Sequence, residues 1–132
     1  MASFVLDASA ILAMLRSEPG SEQVTEVVAD ALVLVVNEAE VIGKLIQRGQ
    51  TPDEALEVVR SLPYRLIDLD RDLGRQAGAW WGVTKAQGLS IADRCCLALA
   101  EREKLPALTT DAAWAKTTLD VDVRLIRGRG RR

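Results

Sequence analysis

The sequence predicts an α/β fold with a mostly parallel sheet of four to five strands and helices on both faces. Three observations lead there. Short apolar runs ending in a polar residue alternate with longer helix-forming stretches, the order that builds β-α-β units. The run Ala31 to Val36 (ALVLVV) has no polar alternation, as a strand covered on both faces requires. Several intervening stretches open on helix-start residues, Thr51-Pro52-Asp53-Glu54 being the clearest: a threonine cap, a proline in the first helical position and a glutamate three residues after the cap.

Taken in order, Phe4-Val5-Leu6 is a short apolar run stopped by Asp7, which suits a buried strand. Ala8 to Arg16 reads as a helix that Ser17-Glu18-Pro19-Gly20 breaks, and Ser21 caps a second helix reaching Asp30. Ala31 to Val36 is the second strand. Asn37 ends it and is placed to cap a helix from Glu38 to Arg48. The helix opened by Thr51 closes near Leu62-Pro63, Arg65 to Leu69 is a third strand, and Arg71 to Ala86 a further helix closed by Gly88. Ser90 opens a helix to Glu103, Ala107-Leu108-Thr109 is the fourth strand, Asp111 to Lys116 a short helix, and Val123 to Ile126 a last strand.

A length of 132 residues predicts one domain, assigned to residues 1–126, followed by an Arg/Gly-rich tail at 127–132. The composition, 48% hydrophobic and 27% charged, is that of a globular protein with a real core. The formal net charge of −2 argues against a broadly basic nucleic-acid surface, so any phosphate contact must be local. Arg127 and Arg129 in the tail could supply one, or could simply solubilise a terminus. Phe4 to Leu15 is apolar but contains Asp7 and has no basic leader; it is not read as a signal peptide and is too short to span a membrane.

The chain has no histidine. That removes Ser-His-Asp and Cys-His nucleophile systems, the acid–base chemistry of metal-free ribonucleases, and zinc sites built on imidazole. Cys95 and Cys96 are adjacent in a predicted helix, where they cannot easily bridge each other. They read as reduced core thiols, in keeping with a cytoplasmic protein.

Four acids hold related positions. Asp7 follows the first strand, Asp111 the fourth; Glu40 and Asp93 lie one turn into predicted helices. In an open parallel sheet, strand ends and the helix starts after them gather at the carboxyl edge, where ligands bind. Each acid also has a purely structural explanation. Asn37-x-x-Glu40 and Ser90-x-x-Asp93 resemble capping boxes, and Asp7 and Asp111 could cap the helices they precede. Several ionised carboxylates sharing one small site must either keep protons or bind a cation. Oxygen-only donors favour Mg²⁺ or Mn²⁺, and such a site suits phosphodiester hydrolysis without histidine.

The chain resembles the PIN-domain family, specifically VapC-type toxins of bacterial toxin–antitoxin pairs. The resemblance rests on Val5-Leu6-Asp7-Ala8-Ser9-Ala10, Val36-Asn37-Glu38-Ala39-Glu40-Val41, Leu89-Ser90-Ile91-Ala92-Asp93-Arg94 and Leu108-Thr109-Thr110-Asp111, in that order along nearly the whole chain. It implies a Mg²⁺- or Mn²⁺-dependent endoribonuclease acting on structured RNA such as tRNA or rRNA. It further implies a small VapB-type antitoxin that holds the enzyme inactive, and a homodimer. Asp7, Glu40, Asp93 and Asp111 inherit the role of direct or water-mediated metal ligands, and Ser9, Asn37 and Thr110 that of orienting them. For Ser9 a backbone hydrogen bond in the first helical turn is an equal reading.

Other residues carry weaker signals. Arg94 could contact RNA phosphate or pair with a carboxylate, but a solvated helix position is the plainer reading. Trp80 and Trp81, neighbours on one predicted helix, point about 100° apart, so one can be buried while the other meets a rim, a partner or a base. Trp114 could shield the acidic site or pack in the core. Two other functions fit the acids less well. A non-catalytic module would keep the fold for its partner alone. An aspartyl-phosphate phosphatase or phosphoacceptor using Asp7 would want a second acid where Ser9 stands.

Overall fold

The computed structural model describes residues 2–126, so the Arg/Gly tail assigned to residues 127–132, with Arg127 and Arg129, lies outside the described residues. Five strands form one sheet: β1 (Phe4–Leu6), β2 (Ala31–Leu34), β3 (Arg65–Ile67), β4 (Ala107–Thr109) and β5 (Val123–Leu125). Their order is β3-β2-β1-β4-β5 and every pairing is parallel. Val5 of β1 faces Leu32 on one side and Ala107 on the other. The chain winds outward from β1 to β3, then returns to lay β4 against the other side of β1. The direction of winding therefore reverses between β1 and β4, and such a switch point opens a crevice at the carboxyl ends of the two strands.

Side chains alternate across the sheet, and the apolar core splits accordingly. Leu6, Val33 and Leu108 pack with Ile11, Val24, Val41 and Ala55 on one face. These come from α1 (Ala8–Leu15), α2 (Glu22–Val27), α3 (Val35–Gln47) and α4 (Pro52–Arg60). Val5, Leu32, Leu34 and Ala107 pack on the other face with Leu73, Ala77 and the run Cys95 to Ala100. These come from α5 (Arg71–Ala79) and α7 (Ile91–Glu103). The helices on both faces and the largely parallel sheet agree with the sequence reading. Cys95 and Cys96 are buried free thiols.

Ser21 makes no side-chain cap bond to the second helix and the third strand ends at Ile67; two further boundaries that differ from the sequence reading bear on the site. The second strand stops at Leu34, and α3 begins at Val35 with Leu34 as its cap residue and no side-chain capping bond. Continuous hydrophobicity cannot tell a buried strand from the first turn of a buried helix, and Val35 and Val36 belong to the helix. Asn37 is therefore not a cap, and Glu40 sits in the second turn of α3. The predicted helix from Arg71 to Ala86 also divides, into α5, α6 (Trp81–Thr84) and a 3₁₀ turn at Lys85–Gln87. Three glycines at 74, 78 and 82 weaken this stretch, each by about 1 kcal/mol relative to alanine. The break comes at Trp80, whose carbonyl accepts a 2.7 Å hydrogen bond from the buried Thr84 hydroxyl.

Helix α4 starts as its sequence predicts. Thr51 Oγ1 accepts from the Glu54 amide at 3.1 Å, while Glu54 Oε1 accepts from the Thr51 amide at 2.8 Å. The exposed cap and the closed core should separate cleanly in urea denaturation. Thr51→Ala is expected to cost about 1 kcal/mol. Leu97→Ala, which opens a hole in the α7 face of the core where Leu97 is fully buried, is expected to cost about 2–5 kcal/mol.

Candidate active site

A cleft of about 190 Å³ opens at the carboxyl edge of the sheet, and Asp7, Glu40, Asp93 and Asp111 all line it, with Ala8, Ser9, Leu12, Lys44 and Trp114. The four acids singled out in the sequence thus converge, and the switch point explains how. Asp7 follows β1 and Asp111 follows β4, so the adjacency of these strands brings together residues a hundred positions apart. Glu40 reaches in from α3 and Asp93 from the first turn of α7.

Asp7 is the floor of the cleft and only 4% exposed. Its carboxylate is held on every side. Oδ1 accepts from the Ala10 amide at 2.8 Å and Oδ2 from the Thr109 hydroxyl at 2.6 Å. Ser9 Oγ lies 2.7 and 2.9 Å from the two oxygens and donates to them. Ser9 Oγ in turn accepts from the Thr110 amide at 3.0 Å, and Thr109 Oγ1 from the Asp111 amide at 3.0 Å. Two hydroxyls therefore tie the loop after β4 to the acid after β1. Ser9 orients the acid rather than bonding the backbone carbonyl behind it. The orienting threonine is Thr109; the hydroxyl of Thr110 makes no such bond among the described residues, and Thr110 contributes only its amide. Two adjacent threonines gave the sequence reading no means of choosing. In the structure Thr109 closes β4, fully buried and pointing toward Asp7.

Asp93 and Ser90 form a full capping box, Asp93 Oδ2 accepting from the Ser90 amide at 2.9 Å and Ser90 Oγ from the Asp93 amide at 3.1 Å. Asp111 Oδ1 accepts from the Ala113 amide at 2.9 Å at the head of a 3₁₀ turn, Ala112–Lys116. Asn37, completely buried, donates through Nδ2 to Glu40 Oε1 and to the Ala92 carbonyl of α7, both at 3.3 Å. One amide thus fixes Glu40 and spaces α3 from the helix that carries Asp93. In each of Glu40, Asp93 and Asp111, one oxygen is held by the protein and the other has no hydrogen bond among the described residues. The capping and site readings are compatible, because a carboxylate has two oxygens to share.

Burial dominates the electrostatics. Loss of solvent pushes the Asp7 pKa up to about 6 despite the bonds from Thr109, Ala10 and Ser9 that pull it down, and Asp93 adds a smaller upward push. Burial also raises Glu40 and Asp93, each further pushed by a neighbouring acid: Asp93 acts on Glu40, and Asp111 on Asp93. Two buried polar atoms close by have no hydrogen-bond partner among the described residues, Asn37 Oδ1 and Trp114 Nε1.

Arg94 corrects the sequence reading. It is only 7% exposed, and its guanidinium donates to the carbonyls of Ala77 on α5 at 3.0 Å and of Ser90 at 3.4 Å. It is a buried strut between α5 and α7 rather than a solvated position or a surface phosphate contact. Trp114 is buried and also walls the cleft. Trp80 packs on the core while Trp81, beyond the helix break, is 59% exposed with Lys85 Nζ 5.2 Å above its ring.

A helical layer on each face of a five-stranded parallel sheet, with acids at its switch point, is the architecture of PIN domains. The PIN-domain family model matches residues 4–118, and the chain belongs to that family. No curated protein matches it in sequence. Among solved structures it is similar to DNA-bound VapBC from Salmonella typhimurium, with a TM-score of 0.74 and 16% identity over 96% of this chain and 100% of that one. A toxin–antitoxin complex from Klebsiella pneumoniae gives 0.71 and 15%, covering 96% and 99%. VapC20 of Mycobacterium tuberculosis, a toxin that cleaves the sarcin-ricin loop, gives 0.72 and 17%, covering 91% and 99%.

The raised pKa of Asp7 carries a sign for stability. The folded protein binds this proton more tightly than the unfolded chain, so the fold is favoured below about pH 6 and loses that advantage as pH rises from about 4 through 6. In metal-free buffer, the urea midpoint is expected to fall between pH 4.5 and 7.5. Asp7→Asn, which cannot ionise, should remove much of that fall, about 2 kcal/mol over this window for a shift of this size.

Proposed function

We propose that this protein is a VapC-type toxin: an endoribonuclease that hydrolyses structured cellular RNA, tRNA or rRNA, with the help of Mg²⁺ or Mn²⁺. The observation that carries the reading is the convergence of Asp7, Glu40, Asp93 and Asp111 on one cleft in a PIN-domain chain.

The site fits a hard dication. The donors facing the cleft are oxygens, and in three of the four acids one oxygen is not otherwise engaged. Among the described residues no group of three or more acids or thiols is arranged to grip one ion directly. An ion that keeps part of its water shell suits such a site, and Mg²⁺ dehydrates reluctantly and usually keeps several waters. Asn37 Oδ1, buried without a donor, is a further acceptor close to Glu40. When bound, the ion would lower the pKa of a coordinated water and offset charge on the scissile phosphate.

The chain's own residues do the rest. Asp7 is held rigid by Ser9, Thr109 and the Ala10 amide, so its position does not depend on the ligand. Asn37 holds Glu40 toward α7. Ser90 fixes one oxygen of Asp93 and leaves the other without a hydrogen bond among the described residues. Leu12, Ala8 and Trp114 give the cleft apolar walls, which lower the local dielectric and strengthen charge–charge interactions there.

The likeness to VapBC complexes supports a VapB-type antitoxin as partner, and the resemblance of the motifs to VapC-type toxins implies a homodimer. A cytoplasmic location accords with the buried free thiols Cys95 and Cys96; among the described residues no helix is long and apolar enough to cross a membrane. The phosphatase alternative has no second acid beside Asp7, since Ser9 is spent on orienting it.

Antitoxin-free protein incubated with total RNA should yield discrete fragments in Mg²⁺ or Mn²⁺ and none with a chelator. Asp7→Asn and Asp93→Asn should each reduce cleavage by about 100-fold or more, since the ion supplies several kcal/mol of transition-state stabilisation. Asn37→Ala, which frees Glu40, should cost about 10–100-fold. Intact RNA under all conditions, with a small protein co-purifying, would instead favour a binding module. Separately, Mn²⁺ should raise the melting temperature of the wild type by mass action. Asp93→Asn should blunt that rise while leaving the ion-free protein as stable or more so.

A further inference from the structure

From the one positive charge in the lining of the acidic cleft, we infer that Lys44 binds a backbone phosphate of the RNA. This rests on the ribonuclease reading above and names a residue that no sequence motif pointed to. Among the described residues Lys44 is the only cationic side chain lining the cleft. It stands one helical turn beyond Glu40 on α3, so both project from the same helix face. It lines the cleft yet forms no ion pair with any of its acids among the described residues, whose salt bridges lie elsewhere. Its field nonetheless reaches Glu40, whose pKa it lowers.

The need for such a group is electrostatic. An RNA strand brings one negative charge per phosphate to a wall of four carboxylates, and the chain carries a net charge of −2 with no broad excess of basic residues. A bound dication offsets part of that repulsion. A lysine at the rim, with a compact charge on a flexible stem, can meet a phosphate without displacing the ion. A plainer role exists: Lys44 lies in the last turn of α3, where a cation complements the helix dipole. That role predicts a change in stability and none in RNA binding.

The test compares wild type, Lys44→Met and Lys44→Arg. Affinity for a short synthetic RNA hairpin is measured in Ca²⁺ over a KCl series, cleavage of the same RNA in Mn²⁺, and melting with and without Mn²⁺. Lys44→Met should weaken RNA binding roughly tenfold at low salt and flatten the slope of log affinity against log salt by about 0.7–1. Cleavage should lose mainly through KM, the Mn²⁺-induced rise in melting temperature should be equal to or larger than that of wild type, and Lys44→Arg should restore the slope. An unchanged salt slope in Lys44→Met, while wild type binds and cleaves, overturns the assignment and leaves the ribonuclease reading standing. So does a loss of cleavage that follows a smaller Mn²⁺ shift or a lower melting temperature, which would make Lys44 structural or ion-tuning. Failure of the wild type itself to bind or cleave RNA brings down the ribonuclease reading, and this assignment with it.

Discussion

Asp7 is a carboxylate taken out of water at the floor of an acidic cleft, and much of the surrounding structure answers to that. Desolvating an ionisable group without compensation is costly, and this protein compensates with an amide and two hydroxyls on one carboxylate. The same bonds staple the start of α1 to the end of β4. Burial raises the pKa of Asp7, and the hydrogen bonds only moderate that rise.

The other acids extend the same arrangement with less burial. Asp93 and Asp111 each give one oxygen to a helix or turn start, and Glu40 gives one to Asn37. Anchoring one oxygen fixes the direction of the second. Caps ordinarily complete the backbone hydrogen bonding of a first turn; here they also aim charge. Asn37 and Arg94 act from behind: the first ties α3 to α7 through Ala92, the second ties α7 to α5 through Ala77. Both are buried polar groups that set the spacing of the helices on which the site is mounted.

Much of this was legible without coordinates. Asp7, Ser90-Asp93 and Thr51-Glu54 announce themselves by local rules, because a strand end or cap needs only its immediate neighbours. Glu40 lines the cleft, but not for the local reason the sequence suggests. Its partner Asn37 looked like a cap, yet it is an interior helical residue whose amide is used across 55 positions to reach Ala92. The choice of Thr110 over Thr109 and the solvated reading of Arg94 fail for a related cause. The roles of Thr109 and Arg94 depend on which element passes behind them, and neither neighbouring sequence nor periodicity carries that information. Lys44 gave no sequence signal at all, since a lysine in a last helical turn is ordinary.

By itself, then, the amino-acid order determined the alternation of strands and helices, the absence of imidazole chemistry, and four acids placed where strands end and helices begin. These follow from period, capping and composition, which act over a few residues. Only the tertiary structure decided that β4 returns to the far side of β1, that Thr109 rather than Thr110 grips the first acid, and that one lysine shares the cleft. Those facts arise from strand order and helix packing, where residues a hundred apart come within hydrogen-bond reach and distance along the chain ceases to matter.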